Sequence, residues 1–335
     1  MQSNGNGAAH RVRTMLLAAF AFVALAAPAA AQGDPAATYP NKPVRLIVGF
    51  AAGGGTDAMA RIFAPKLSEI LGQPVVIENR AGAGGRTAIE FVQSQPADGY
   101  TVAFGAIGQL AVATAIYPNL PFHPTRTLVP VTMVSSYLMM LAGPANDQIK
   151  SVQDLIAYAK ANPAKSNYPT ASPIFTILCE LLKLKTGMPS QAVPYRSSNE
   201  MMLSLAGGQT LFVFADVPSV MPVAQGGRVR ALAVASAARI PGLPDTPTFA
   251  QAGLDVEVPQ QWNGMFVTAG TPAAIVKKLE AASQKALTDP AVRERTLALS
   301  YAPEGAGSDE FRARIDGAIK VFSDVAKAAN LKFDQ

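Results

Sequence analysis

The chain is poor in the residues that most enzyme sites use. It has one cysteine, Cys179, and two histidines, His10 and His123, in 335 residues. A single cysteine cannot close an intramolecular disulfide, and a tetrahedral zinc site has too few His and Cys ligands to draw on. Cys179 lies in the apolar run IFTILCELLKL, where a thiol packs as a small hydrophobe. No G-x-S-x-G turn, no G-x-x-x-x-G-K-[ST] loop and no G-x-G-x-x-G fingerprint is present, so a hydrolase elbow, a P-loop and a dinucleotide fold lack their signatures. Charged residues make up only 15% of the chain. They are scattered, and the formal net charge of +5 forms no basic stripe of the kind that binds nucleic acid. Low-complexity tracts and internal repeats are missing, and beyond residue 31 no run is long and apolar enough to span a bilayer.

The N-terminus is different. His10, Arg11 and Arg13 precede an uncharged apolar run, Met15 to Ala27, and then Pro28 and Ala29-Ala30-Ala31. A basic region, an apolar region and an A-x-A site in that order read as a secretory signal over residues 1–31. Arg11 and Arg13 are not paired as a twin-arginine signal requires, which points to general secretion. Both arginines leave with the leader, which lowers the formal net charge from +5 to +3. The mature protein is therefore expected in the periplasm.

From Tyr39 onward, strand-like and helix-like runs alternate. VRLIVGF, PVVIENR and TVAFG read as three strands separated by helices, which predicts parallel pairing. The first helix is expected over 57–71, kinked at Pro65. Ser151 and Asp154 form a capping signature for a helix that Pro163 stops. A helix is expected from Phe175 to Lys185, and one short helix in the proline-rich 239–253. Two helices, near 273–288 and 308–329, finish the chain. Two long extended stretches, 129–143 and 256–268, bracket the middle block. They suggest two α/β lobes joined by two crossings. Lobe 1 would hold 39–135 and 262–335, lobe 2 would hold 136–261, and the ligand cleft would lie between them.

Residues 49–57, GFAAGGGTD, turn from strand to helix on glycines. In an open α/β sheet, ligands bind beyond the carboxyl ends of the strands. A helix start carries unpaired N–H groups and partial positive charge, and glycine admits a ligand close to the backbone. The turn reads either as an oxyanion cradle or as a tight connection without a ligand. Thr56 or Asp57 would cap the helix. Gly105 and Ala106 end the third strand on the same sheet edge. Tyr195, Arg196 and Ser197 mirror the first turn in the second lobe. Arg196 is either a carboxylate partner or a solvated arginine. Asp216 is either a cleft acid or, the favoured reading, a helix cap. Trp262 reads as packing at the second crossing.

The ordered set YPNKPVRLIVGFAAGGGTD, LGQPVVIENRAGAGG, PADGYT, SVQDLIAYAKANP, VPYRSS, GRVRALAVAS, LPDTPTFAQAGL and TPAAIVKKL resembles the Bug-type extracytoplasmic receptors of tripartite tricarboxylate transporters over about residues 39–330. The resemblance implies a two-lobed, type II periplasmic-binding-protein fold. It implies a receptor, not an enzyme, that closes on a small organic carboxylate and delivers it to membrane permease subunits. A sensing role toward a signalling receptor is the alternative. A monomer without a cofactor is expected. The resemblance makes Phe50, Ala51, Ala52, Gly53, Gly54, Gly55, Thr56 and Asp57 the carboxylate cradle, acting through backbone amides and ordered waters. The rest of the expected site is Gly105, Ala106, Tyr168, Tyr195, Arg196, Ser197 and Asp216. Two segments depart from the family pattern: NYPTASPIFT (167–176) is bulkier than the usual Ser/Gly-rich loop, and VPYRSS replaces the usual VPYKG.

The leader reading has a direct check. N-terminal sequencing of protein recovered from the periplasm is expected to begin near Gln32; a chain that still begins at Met1 there overturns it.

Overall fold

The computed structural model describes residues 36–195, 198–256 and 258–331. The expected leader lies outside them, as do Arg196 and Ser197. The chain divides into two compact units, Met1–Tyr39 and Pro40–Gln335. In the first, the described residues amount to a short turn. Every described strand and helix belongs to the second.

Two β-α steps and a third strand open it: β1 (Val44–Val48), α1 (Gly55–Leu71), β2 (Val75–Asn79), α2 (Arg86–Gln93) and β3 (Thr101–Ala106). β1 is parallel to both β2 and β3. Leu46, Ile47 and Val48 are fully buried, as expected of a strand covered on both faces. α1 turns Met59, Ile62, Phe63 and Leu67 to the interior, a spacing of three and four that lines up one helical face. Pro65 lies inside α1 without breaking it. Its side of the helix is exposed, so the Arg61 carbonyl that loses its donor faces water. The helix ends at Gly72, whose φ of 68° is the left-handed stop that glycine adopts freely.

The parallel order holds for only half of the sheet. β10 (Gln261–Thr268) runs antiparallel between β3 and β4 (Leu128–Tyr137), and β11 (Ala302–Pro303) closes the edge, giving the order β11-β4-β10-β3-β1-β2. The sequence pattern could not show this, because β10 returns to the sheet from more than a hundred residues away. The first long extended stretch serves two sheets. β4 belongs to the six-stranded sheet, and β5 (Met139–Pro144) starts after Leu138 and is central in a three-stranded sheet.

The middle of the chain continues with α3 (Val152–Ala161), β6 (Asn167–Thr170), α4 (Pro173–Thr186), β7 (Gln191–Pro194), α5 (Ser198–Ala206), β8 (Val213–Asp216), α6 (Val217–Gln225) and β9 (Val229–Val234). β8 and β9 flank β5, and β6 pairs β7. Ser151 and Asp154 make the expected reciprocal capping box at α3. The short helix expected in 239–253 is absent; that segment forms turns. Among the described residues, three helices rather than two follow β10: α7 (Ala273–Leu287), α8 (Pro290–Ala298) and α9 (Ser308–Ala328). Asp289 caps α8 by accepting from Ala291 and Val292 N–H, a signal present in TDP and overlooked.

Trp262 is a packing residue. Its ring meets Phe311 edge-on at 4.9 Å and lies 5.9 Å from Phe266. Phe311 reaches this depth because Gly264, on β10, has no side chain. A Cβ there would run into the Phe311 ring and stand 2.9 Å from the Thr132 carbonyl oxygen. Gly264→Ala is therefore expected to destabilise the protein by about 1–3 kcal/mol. Chemical denaturation checks this, and an unchanged midpoint would show that the cluster repacks freely.

Candidate functional site

The first glycine turn is exposed over Ala51 to Gly55 and keeps its charge inward. Gly53 takes φ +87°, a conformation that a Cβ would strain. Gly54 is the N-cap, in extended geometry and without a side-chain cap. The first helical bond runs from Ala58 N–H to the Gly54 carbonyl, 2.8 Å. The amides of Gly55, Thr56 and Asp57 thus precede the helical ladder and have no intrahelical acceptor. Ala51 to Gly55 are exposed.

The expected capping by Thr56 or Asp57 is not what occurs. Helix α1 begins earlier, at Gly55, which moves Asp57 into the first turn. Its carboxylate is buried and accepts from Gly53 N–H (2.9 Å), Asn79 Nδ2 (2.8 Å) and Arg61 Nε (2.8 Å). Asn79 Nδ2 also donates to the Phe50 carbonyl, 2.9 Å. Asp57 therefore grips the loop at Gly53 directly and at Phe50 through Asn79. Burial opposes its ionisation, but the hydrogen bonds from Arg61, Gly53 and Asn79 outweigh burial and hold the carboxyl below its ordinary range. Thr56 Oγ1 donates to Asn263 Oδ1, 3.3 Å, on β10.

The neighbouring strand ends lie beside the first turn. After β2, Gly82, Gly84 and Gly85 all have positive φ. Gly85 packs against Gly49 so closely that a Cβ on Gly49 would stand 2.8 Å from the Gly85 carbonyl oxygen. After β3, Gly108–Val112 forms a π-helical turn, with Val112 N–H bonded to the Ile107 carbonyl at 3.0 Å. Such turns recur at functional sites. Gly105 and Ala106 are buried.

Sequence reasoning missed Gln109. It is 1% exposed, and neither Oε1 nor Nε2 has a hydrogen-bond partner. A Cβ on Gly85 would stand 2.5 Å from Oε1, one on Gly49 3.0 Å from Oε1, and one on Gly105 3.3 Å from Nε2. Each buried polar atom left without a partner costs about 1–3 kcal/mol. The signal was a lone carboxamide in the apolar run AIGQLAVATA.

On the other side of the first turn, the Tyr301 hydroxyl stands against Gly55, where an added Cβ would collide with it. The Tyr301 ring lies 5.1 Å from that of Tyr137. Burial, and then the nearby Asp216 carboxylate, push both phenols upward. Asp216 caps α6, accepting from Ser219 N–H (2.9 Å) and Oγ (2.7 Å). The turn, the C-terminal segment and the three-stranded sheet therefore come together here.

Other expected residues point elsewhere. Tyr168 is fully buried, and its hydroxyl donates to Glu180 at 2.7 Å. It packs 5.6 Å from Phe212, because β6 turns that position into the core. The Tyr195 hydroxyl is paired with Ser204 Oγ at 2.7 Å. Ile174, at the start of α4, packs on Gly108. A separate cavity of about 510 Å³ beside the crossings is lined by Leu138, Met139, Phe249 and Gln261, and by none of the glycine turns.

The contact at Gly55 gives a paired expectation. Gly55→Ala is expected to destabilise the protein by about 1–3 kcal/mol through the collision with the Tyr301 hydroxyl. Adding Tyr301→Phe is expected to restore most of the loss, because the next ring atom stands 3.5 Å from the new carbon. Thermal denaturation of both variants checks it; a double variant no more stable than Gly55→Ala overturns the contact.

Residues 59–312 match the model of a family described as "Tripartite tricarboxylate transporter family receptor". A UPF0065 protein of Cupriavidus necator is 35% identical over 308 residues, covering 89% of this chain and 90% of that one. Protein BugT of Bordetella pertussis is 34% identical over 311 residues, covering 92% and 94%. Among solved structures, MatC from Rhodopseudomonas palustris with bound malate superposes with a TM-score of 0.77 at 30% identity, covering 86% of this chain and 99% of that one. An R. palustris protein with adipate gives 0.79 at 32% identity, covering 88% and 99%.

Proposed function

We propose a function from one premise: the chain belongs to the tripartite tricarboxylate transporter receptor family. Its fold is the α/β fold of periplasmic solute-binding receptors. The protein is exported to the periplasm, captures a small dicarboxylate as its lobes close, and passes it to the membrane subunits of a tripartite transporter. It acts as a monomer and without a covalent step.

The observation that carries this reading is the first glycine turn. It offers the amides of Gly55, Thr56 and Asp57 at the positive end of a 17-residue helix, a geometry suited to one carboxylate. The acidic residue in that turn does not repel the ligand strongly, because Arg61 pairs with Asp57. The malate and adipate bound by two similar receptors are both dicarboxylates, which supports the same class here. Tyr195, Arg196 and Ser197 follow β7 in the sequence and remain the expected partners of the second carboxylate. No observation favours the sensing role.

The test is ligand binding to the mature protein and to Gly54→Val. Gly54 has φ −76° and ψ 165°, which valine adopts readily, and the nearest atom to its Cβ is the Ala51 carbonyl oxygen at 3.6 Å. The variant is expected to fold with an unchanged melting temperature. Its branched side chain crowds the amides and weakens dicarboxylate affinity about tenfold or more. Dicarboxylates are expected to raise the melting temperature of the wild type, because they bind only the folded state. Full affinity in Gly54→Val overturns the cradle.

A further inference from the structure

The strand ends beside the first glycine turn hold a polar group that the fold itself leaves unsatisfied. Gln109 sits where β1, β2 and β3 end side by side. Gly49, Gly85 and Gly105 each lack the side chain that would displace its carboxamide. Three neighbouring positions thus leave room for one amide, yet both of its polar atoms lack a partner. Methionine or leucine would fill the same space without that penalty. The group is carried on a π-helical turn, and Ile174 from α4 packs over the first residue of that turn. Gln109 thus lies at the carboxyl ends of the parallel strands, the edge of an open α/β sheet where ligands bind.

A carboxamide asks for two different things. Nε2 donates, and a ligand carboxylate oxygen satisfies it. Oε1 accepts, and a carboxylate cannot supply the hydrogen. We propose that Gln109 is a specificity-determining residue that reads a hydroxyl next to the ligand carboxylate, so that the preferred ligand is a 2-hydroxy dicarboxylate. This rests on the dicarboxylate-receptor reading above and narrows it. An ammonium in the same place would also donate to Oε1, but it would be a buried charge in need of a carboxylate. The carboxylates of the site are engaged: Asp57 by Gly53, Asn79 and Arg61, and Asp216 by Ser219. A neutral hydroxyl fits the acceptor without that cost.

Calorimetric titration of the mature protein with malate, succinate and aspartate tests this. Wild type is expected to bind malate about tenfold or more tightly than succinate, because a site built around a hydroxyl penalises the analogue that lacks it. Aspartate is expected to bind more weakly than malate. Gln109→Met keeps the volume and removes both polar atoms, and is expected to bind malate and succinate within about twofold of each other. Equal affinities in the wild type overturn the proposal and mean that the partner of Gln109 is a water. A malate preference that persists in Gln109→Met also overturns it, because the hydroxyl is then read elsewhere. The wild-type ratio decides alone if the variant does not fold. Binding of none of the three in a folded sample overturns the dicarboxylate reading itself, and this proposal with it, which separates the two failures.

Discussion

Asp57 carries a charge in a place where an unpaired one would be costly, and the first turn is organised around satisfying it. Its carboxylate receives Gly53 N–H, Asn79 Nδ2 and Arg61 Nε. Those donors come from the loop, from the end of β2 and from the next turn of α1. One buried group thus ties a strand end, a helix and a glycine loop into one piece. Gly53 is held in its left-handed conformation, and the amides of Gly55, Thr56 and Asp57 beyond it have no intrahelical acceptor. A loop with three consecutive glycines would otherwise be among the most mobile parts of the chain. Anchoring it this way yields donors that need little ordering when a ligand arrives.

Space at the strand ends is rationed by glycine in the same spirit. Gly49 and Gly85 touch backbone to backbone, and Gly55 yields to the Tyr301 hydroxyl. None of these contacts is local in sequence. Gly55 and Tyr301 are 246 positions apart, and they meet because β11 returns the C-terminal segment to the edge of β4. Tyr301 in turn packs at a tilt against Tyr137, where the chain leaves the six-stranded sheet for the three-stranded one. The turn that would hold the ligand is thereby in contact with a point where the chain changes sheets. A rearrangement there has a short path to the amides, through packed side chains.

Polar groups divide into two kinds in this region. Most are satisfied: Asp216 by Ser219, Tyr195 by Ser204, Tyr168 by Glu180. Satisfied groups specify the fold and hold its elements in register. Gln109 is of the other kind, and Trp262 Nε1 shares its lack of a partner. The two differ in surroundings. The Trp262 ring lies among Phe266 and Phe311, where its large apolar body accounts for its presence. Gln109 has no comparable packing reason, since an apolar chain of the same shape would serve.

Local chemistry was legible in the sequence wherever neighbours in the chain decide it. The opening βαβαβ order, the capping box at Ser151 and Asp154, the helix stop at Gly72 and the cap at Asp216 depend on residues a few positions apart, and short-range hydrogen bonds and backbone preferences enforce them. The glycine turn was legible for the same reason. Tertiary structure decided the remainder. The antiparallel half of the large sheet depends on β10 pairing with β3 and β4 across the chain, which no local pattern encodes. Pro65 stays inside α1 because its face of the helix is exposed, and Asp57 became an anchor because Asn79 and Arg61 converge on it. Tyr168 looked like a bulky loop residue and proved to be core, since the direction of a strand's side chains is set by what the strand packs against. Gln109 stands out only when three glycines distant in sequence are seen to surround it. Burial without a partner is a property of the folded surroundings, and a sequence lists residues without their surroundings.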